Sequence, residues 1–426
     1  MAAWWKDKRL WFVVFLTLLA FGIRIYKIHI PDRLIGDEVY YVPAARSILG
    51  QNEAGVPRDV GYAHPPLAKM IIAVGIALFG DNPFGWRIMS VIAGTIIIPA
   101  FYVLVKKLTQ DSKELENAPT LAAFLMSFET LTFYFSHVAR IDIFMMLFFI
   151  VGAVFLMEKK TWRKLLAAPL FALSFLSKEA ALLMILPLLL WAGIRTEAKN
   201  TRKTAKKAPL KHRFDWKTVG VLLAATGICI AGMWYVLEWV VLTPRVPSLV
   251  ERISLMLRRL DIDNPAARGR SEIWMWFFNQ PVTRAAAVQP GVRIDPATIN
   301  VGPILNPVLQ YAYIVQPSWT IILPMIPTMV YMLYLSRSSS VARFVAMSWF
   351  GVLIGWIIVN VAFRGLMYLF YVLTLVPAVI IGISIYLSRG LYYESKNKSV
   401  KISLISFVYL LLHVVNFVAL YPVPVS

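Results

Sequence analysis

Apolar residues in this chain gather into long unbroken runs instead of alternating with polar ones. A helix of about 20 apolar residues crosses the hydrocarbon core of a bilayer. By that measure the pattern predicts spans at 10–28, 84–105, 118–136, 141–157, 164–178, 179–194, 218–242, 317–336, 342–361, 365–387 and 402–421. The fifth and sixth are short. A twelfth stretch, 65–80, is shorter than a span and opens on Pro65-Pro66, which suits a helix lying along the membrane surface. The basic start of the chain followed by Leu10–Ile23 could pass for a signal peptide, but no small-residue cleavage site follows, so it is read as a retained first span.

The charges between the runs set the orientation. Eleven spans with the N-terminus inside collect Lys6, Lys8 and Arg9, then Lys106, Lys107 and Lys113, then Lys159, Lys160, Arg163 and Lys164 on the cytoplasmic side. The basic segment 195–217 and the residues Arg389, Lys396, Lys398 and Lys401 of a loop at 388–401 join them. Counting 65–80 as a span would turn two of these clusters outward, against the positive-inside rule. The expectation is a single all-α polytopic membrane domain over 1–426, with the C-terminus external. Two external segments follow, 29–83 and 243–316; the second is too long for a plain connector.

Composition agrees. Of the 426 residues 59% are hydrophobic and only 15% charged, with a mean hydropathy of +0.66; a soluble domain carries about 25% charge. Disorder and an ordinary soluble enzyme are both excluded on these terms. The net charge of +20 would fit nucleic acid only if it formed a face on a soluble domain, and here it lies between apolar runs, so no nucleic-acid partner is expected. The single cysteine, Cys229, and five histidines without ligand spacing signal no disulfide and no metal site.

Candidate chemistry falls on the outer side. Asp37-Glu38 follows the first span and precedes a stretch, 39–49, with helical apolar spacing. Asp37 is either a helix N-cap or a general base at the water face of the membrane. His64-Pro65-Pro66-Leu67-Ala68-Lys69 ends the same segment, where the prolines start a helix well and bring a His and a Lys to the depth of Asp37. Arg87, Arg140, Asp142, Lys178, Glu179 and Arg364, with Arg24 and Lys27, all fall at outer ends of predicted spans. Each alone fits snorkelling to the headgroups. Together they suggest an anion pocket for a lipid phosphate, with Asp142 and Glu179 orienting the cations. Glu129 lies inside a span and needs a partner, whereas Glu238 is near enough to an end to be solvated. The Trp and Tyr abundance reads mostly as an interfacial belt and is assigned no chemistry.

These motifs, in this order and on one membrane face, resemble the protein O-mannosyltransferase family, membrane glycosyltransferases of the GT-C class that use polyprenyl-phosphate sugars. The resemblance runs through Asp37-Glu38, His64–Lys69, Phe84–Ser90, Ser136–Asp142, Phe175–Lys178, Trp274-Met275-Trp276, the stretch 302–308 with Asn306-Pro307, Arg364, Tyr371 and Pro377. It implies a GT-C fold of eleven spans with two surface helices in the first external segment. It also implies an inverting transfer of mannose from polyprenyl phosphate to Ser or Thr hydroxyls of proteins. The family's catalytic Asp falls on Asp37 with Glu38 beside it. Lys178 and Arg364 fall on positions that look like lipid-phosphate contacts; from the charge pattern Arg140 and Arg87 are expected to join them, and His64, Asp142, His137, Asn306 and Tyr371 are expected at the acceptor and sugar. No metal or other cofactor is implied beyond the lipid-linked donor. There are departures: the family's Arg after the serine at Ser136 is His137 here, with Arg140 three residues on, and 243–316 is too short for the β-trefoil of eukaryotic members. The chain therefore looks like a minimal prokaryotic, archaeal form, placed in the plasma membrane with its site outside. A transferase acting on a lipid or glycan acceptor, as aminoarabinose transferases do, is the alternative, and a transporter the remote one.

The topology is testable by cysteine accessibility in a Cys229→Ser background. Lys206→Cys is expected to be shielded from an impermeant outside reagent and Arg270→Cys to be labelled; the reverse pattern would invert the orientation.

Overall fold

A computed structural model describes residues 7–51, 64–197, 211–242, 250, 253–254, 271–280, 283–286, 312–363, 367–397 and 401–421. Its helices follow the apolar runs: α1 (Lys8–Ile25), α2 (Glu38–Ile48), α3 (Leu67–Phe79), α4 (Pro83–Thr109), α5 (Ala118–Ser127), α6 (Thr130–His137), α7 (Asp142–Leu156), α8 (Thr161–Leu165), α9 (Ala167–Ser177), α10 (Ala181–Ala192) and α11 (Trp216–Leu242). Further helices cover Trp319–Ile322, Met325–Leu335, Ser340–Phe363, Val376–Asn397 and Lys401–Leu420. Local chemistry sets their ends. Asn82 accepts from the Gly85 N–H at 3.1 Å with Pro83 as the first helical residue of α4, and Asp215 accepts from the Thr218 N–H at 3.1 Å at the head of α11.

Helix α4 is the central post and packs against α1, α3, α5, α6 and α7. The approach to α6 is close: a Cβ on Gly94 would lie 2.2 Å from Ser136 Cβ, so only glycine fits there. Among the described residues, the helices starting at Pro83, Trp216, Ser340, Val376 and Lys401 are each long and apolar enough to cross a bilayer; α6 and α7 would make a sixth span if joined, but they are bent at 116°. The expected spans at 118–136, 141–157, 164–178 and 179–194 are therefore shorter pieces, α5, α6, α7, α9 and α10, interrupted at 128–129, 138–141 and 178–180. Helix α3 has 13 residues and lies against α2 and α4.

Several expectations are corrected. Helix Val376–Asn397 starts later than 365 and runs through the first part of the loop expected at 388–401. It continues because its polar face is paired: Ser388 Oγ donates to the Glu114 carbonyl at 2.9 Å, Tyr393 donates to Glu114 Oε1 at 2.9 Å, and Arg389 meets Glu114 Oε2 at 3.2 Å. Two antiparallel strand pairs were not legible: β1 (Ile194–Glu197) with β2 (Lys211–Phe214), and β3 (Thr283–Ala286) with β4 (Ala312–Val315). Glu238 is buried, not solvated, and accepts from Trp234 Nε1 at 2.8 Å.

Glu129 has the partner it needs. It caps α6, accepting from the Leu131 and Thr132 N–H groups at 3.1 and 2.5 Å and from the Ser318 N–H at 3.1 Å. The last helix, Lys401–Leu420, is pinned beside it. Tyr409 donates to the Thr320 carbonyl at 2.6 Å, and Asn416 accepts from the Trp319 N–H at 2.9 Å. His413 Nε2 donates to the Leu125 carbonyl at 2.9 Å, so its Nδ1 accepts from the Thr320 hydroxyl at 2.6 Å.

Candidate active site

The adjacent carboxylates Asp37 and Glu38 have opposite fates. Glu38 points into the protein and is fully buried. Arg87 grips it with two parallel bonds, Nε to Oε1 at 2.8 Å and Nη2 to Oε2 at 2.9 Å, while the Ala139 and Ile35 N–H groups donate to the same oxygens at 2.7 and 2.8 Å. The rest of the guanidinium donates to the carbonyls of Ile28 at 2.9 Å, Pro31 at 3.0 Å and Arg33 at 2.7 Å. A guanidinium has five N–H donors, and these bonds use all of them. Arg87 is thus not placed for a phosphate, nor Glu38 for an acceptor; they fasten the 28–38 segment to α4 and to the break between α6 and α7.

Asp37 stands at the N-terminus of α2, yet its side chain caps nothing. It turns instead to Arg140, whose Nη2 lies 2.6 Å from Oδ2, and its side chain keeps 35% exposure. Arg140 occupies the 138–141 break and is buried between rings, its guanidinium 4.8 Å from the centroids of both Phe135 and Phe370. On its other side Nε faces Asp142 Oδ2 at 3.4 Å, and neither atom has a hydrogen-bond partner. Asp142 Oδ1 in turn accepts from Lys178 Nζ at 2.5 Å. Next to Lys178, Glu179 holds His64, with Nδ1 3.0 and 2.9 Å from its two oxygens.

The result is a run of alternating charge, Asp37, Arg140, Asp142 and Lys178, continued by Glu179 and His64. Each stands at a helix start or in a break, except His64, which lies three residues before α3. Aromatic rings wall it: Lys178 Nζ lies 5.2 Å over Tyr371, which is itself stacked on Trp356 at 4.6 Å. Tyr40 flanks Asp37; burial first and the Asp37 charge second push its phenol up to about 12, so it stays a neutral hydroxyl. Tyr371 is the ring to which the resemblance pointed, and Trp356 beneath it is an exception to the interfacial belt.

His137 is elsewhere. It is buried, with Nε2 donating to the Tyr26 carbonyl at 3.2 Å and Nδ1 accepting from the Tyr313 hydroxyl, so it ties α6 to β4 and has no ring nitrogen left for an acceptor or sugar. Arg24 is also inside, donating from Nε to Ser136 Oγ at 2.8 Å. Arg364 and Asn306 lie outside the described residues. Among the described residues no group of three or more His, Cys, Asp or Glu side chains could hold a metal ion.

Residues 63–212 match a family model described as dolichyl-phosphate-mannose-protein mannosyltransferase. The similarity is to protein mannosyltransferases. Mycobacterium tuberculosis polyprenol-phosphate-mannose–protein mannosyltransferase is 32% identical over 122 residues, 28% of this chain and 22% of the relative. Its Corynebacterium glutamicum counterpart is 35% identical over 124 residues, 28% and 23%. The matched part of the chain thus spans about a fifth of the length of these curated relatives. Both are bacterial, and the expectation of an archaeal form finds no support in them. An undecaprenyl phosphate-alpha-4-amino-4-deoxy-L-arabinose arabinosyl transferase of Pseudomonas aeruginosa is 33% identical over 103 residues, 23% of this chain and 19% of that one. Among solved structures, ArnT from Cupriavidus metallidurans aligns with a TM-score of 0.57 at 13% identity over 90% of this chain and 61% of that one. The Archaeoglobus fulgidus oligosaccharyltransferase tethered to an acceptor peptide gives 0.55 at 14% over 98% and 55%. The fold is that of GT-C membrane glycosyltransferases.

The buried pair predicts a stability effect. Glu38→Gln or Arg87→Met, each leaving a buried charge unpaired, is expected to cost about 3–5 kcal/mol. Thermal unfolding in detergent should show a large drop in Tm for either, and partial recovery in the double variant Glu38→Leu/Arg87→Met, which leaves no orphan charge.

Proposed function

We propose that this protein is an inverting glycosyltransferase that moves mannose from a polyprenyl phosphate to Ser or Thr hydroxyls of proteins, on the external face of a prokaryotic plasma membrane. The observation that carries this reading is an uncapped, partly exposed Asp37 held by Arg140, which Asp142 links to Lys178. One end of that run offers a proton acceptor, and the run holds two cations, Arg140 beside that acceptor and Lys178 at the far end. The match of 63–212 to mannosyltransferases supports the choice of donor.

The chemistry divides accordingly. A Ser or Thr hydroxyl is a poor nucleophile until a base takes its proton, and Asp37 is that base, with Oδ2 fixed by Arg140. The leaving group is a phosphate, so the developing charge needs cations more than an acid. Lys178 has spent one of its three donors on Asp142; it and Arg140 are the cations assigned to the donor phosphate, and the resemblance adds Arg364, which lies outside the described residues. Asp142 orients the two cations. His64 and Tyr371 are assigned to the sugar and acceptor, and the resemblance adds Asn306, which lies outside the described residues. A single displacement at the anomeric carbon inverts its configuration.

The decisive substitution is Asp37→Asn. A helix cap would tolerate it, because Asn caps about as well as Asp, and general-base catalysis is worth about 100-fold to 10,000-fold. The variant is expected to fold and bind donor normally while transfer of labelled mannose to a peptide falls by that factor; near-normal transfer would leave the base unidentified. Lys178→Ala and Arg140→Ala are each expected to weaken donor binding by at least about tenfold, as charge-assisted contacts to phosphate are the strong kind. Unchanged donor affinity in both would remove the phosphate assignment. Identification of the mannosylated product separates a peptide acceptor from the lipid or glycan acceptor of the alternative.

A further inference from the structure

The Trp274-Met275-Trp276 motif has no part in the transfer assigned above, yet Trp276 is the largest fully buried side chain among the described residues. It lies in the stretch 243–316 expected outside the membrane, on a 3-10 turn, Ile273–Phe278, that is docked on both sides. Before the turn the Ser271 N–H donates to the Met367 carbonyl at 2.7 Å, and after it Asn279 Nδ2 donates to the Pro317 carbonyl at 3.1 Å. A buried indole N–H needs an acceptor, and Ser271 Oγ supplies it at 2.8 Å. One serine thus aims the ring and ties its segment to the chain at Met367.

The ring is aimed at Trp356, 6.1 Å away between centroids and at 84° to it. Trp356 in turn stacks on Tyr371 with the two planes only 5° apart, and its Nε1 donates to Thr374 Oγ1 at 2.9 Å. The Thr374 hydroxyl donates to the Tyr371 carbonyl at 2.8 Å. Trp356 is therefore joined to Tyr371 twice, through the ring directly and through Thr374 to the backbone. The 3-10 turn Leu369–Thr374 that carries Tyr371 also carries Phe370, and these rings lie 5.2 and 5.9 Å from Lys178 Nζ. Phe370 is the ring that also meets Arg140. A ring face attracts a cation, and more strongly where water is excluded, so the placement of this turn helps set the placement of both cations.

We propose that Trp276 is a positioning residue for donor binding: through Trp356 it holds the Phe370–Tyr371 turn, and with it the Lys178 ammonium, in place. This rests on the mannosyl-phosphate reading above, in which Lys178 and Arg140 receive the phosphate. No step of the transfer passes through the indole. Its removal lets the Trp356–Tyr371 stack shift and loosens the grip on the donor, whereas Asp37 stays at the head of α2, one residue from the buried Glu38–Arg87 pair. The effect therefore falls on donor affinity and not on the rate of transfer from bound donor.

The test uses the full chain in lipid nanodiscs, with polyprenyl-phosphate-mannose as donor and a peptide as acceptor. Loss of an aromatic pair corresponds to about a 2- to 10-fold change in an equilibrium constant. Trp276→Leu is expected to raise the donor Kd and KM by that factor while kcat at saturating donor stays within about twofold of the parent. Trp276→Phe keeps a ring against Trp356 and is expected to restore parent affinity. Ser271→Ala keeps every ring and removes the bond that aims the indole; it is expected to weaken donor binding in the same direction, and it supplies the measurement should the Leu variant fail to insert. In a Tyr371→Leu background neither change is expected to weaken binding further, because the ring they act through is gone. Unchanged donor affinity in the folded variants, a loss confined to kcat, a Phe variant as weak as the Leu one, or losses that add to that of Tyr371→Leu would overturn this role and leave the transferase reading intact. A parent chain that neither binds the donor nor transfers mannose would overturn that reading, and the role with it.

Discussion

Two opposite charges removed from water hold together only when the hydrogen-bonding capacity around them is filled, and the Glu38–Arg87 pair meets that condition. The pair and its partners come from four places: the loop after α1, the start of α2, α4 and the break before α7. With Asp37–Arg140 and His64–Glu179 it fixes the first external segment to the helical core, and of these ties it is the buried one. Asp37 is one residue from this knot, and the Ala139 N–H that donates to Glu38 is one residue from Arg140. The buried pair therefore sets the distance between the carboxylate and the guanidinium of the site, although neither of its own side chains faces the reaction.

The same economy governs the helix breaks. Interrupted helices leave backbone groups without partners, which is tolerated at membrane depth only where protein or a water-filled cavity receives them. In this fold the interruptions at 138–141 and 178–180 are where Arg140, Lys178 and Glu179 emerge. Breaking the helices turns side chains that would otherwise lie along a helix surface toward a common point. Aromatic rings then exclude water around Arg140 and Lys178, which strengthens every charge interaction there.

Much of this was legible in the order of residues. The apolar runs gave the helices, and the clustering of Arg140, Asp142, Lys178 and Glu179 at predicted outer ends pointed to a shared pocket. The separation of Asp37 from Glu38 was not legible, because adjacent residues at a helix start look alike until the backbone aims them. Nor was the role of Arg87: three of its acceptors are carbonyls of Ile28, Pro31 and Arg33, and a carbonyl leaves no mark on a sequence. His137 misled for the same reason, one of its nitrogens being spent on the Tyr26 carbonyl. The rings of Phe135 and Phe370 were hidden by abundance, since nothing local distinguishes an aromatic that holds a cation from one that meets lipid.

The last helix carries its polar side chains inward. Tyr409, His413 and Asn416 recur at the helical period on the face that meets Thr320, Trp319 and Leu125, while Leu404, Phe407, Leu411 and Val418 point outward. This inverts the amphipathic rule of a helix in water. In hydrocarbon, burial of leucine provides no drive to associate, and directional bonds do. The helix thus docks as a key with three teeth: its rotation and its depth are specified by where those bonds can close, and an apolar helix of equal length without them would have no preferred face.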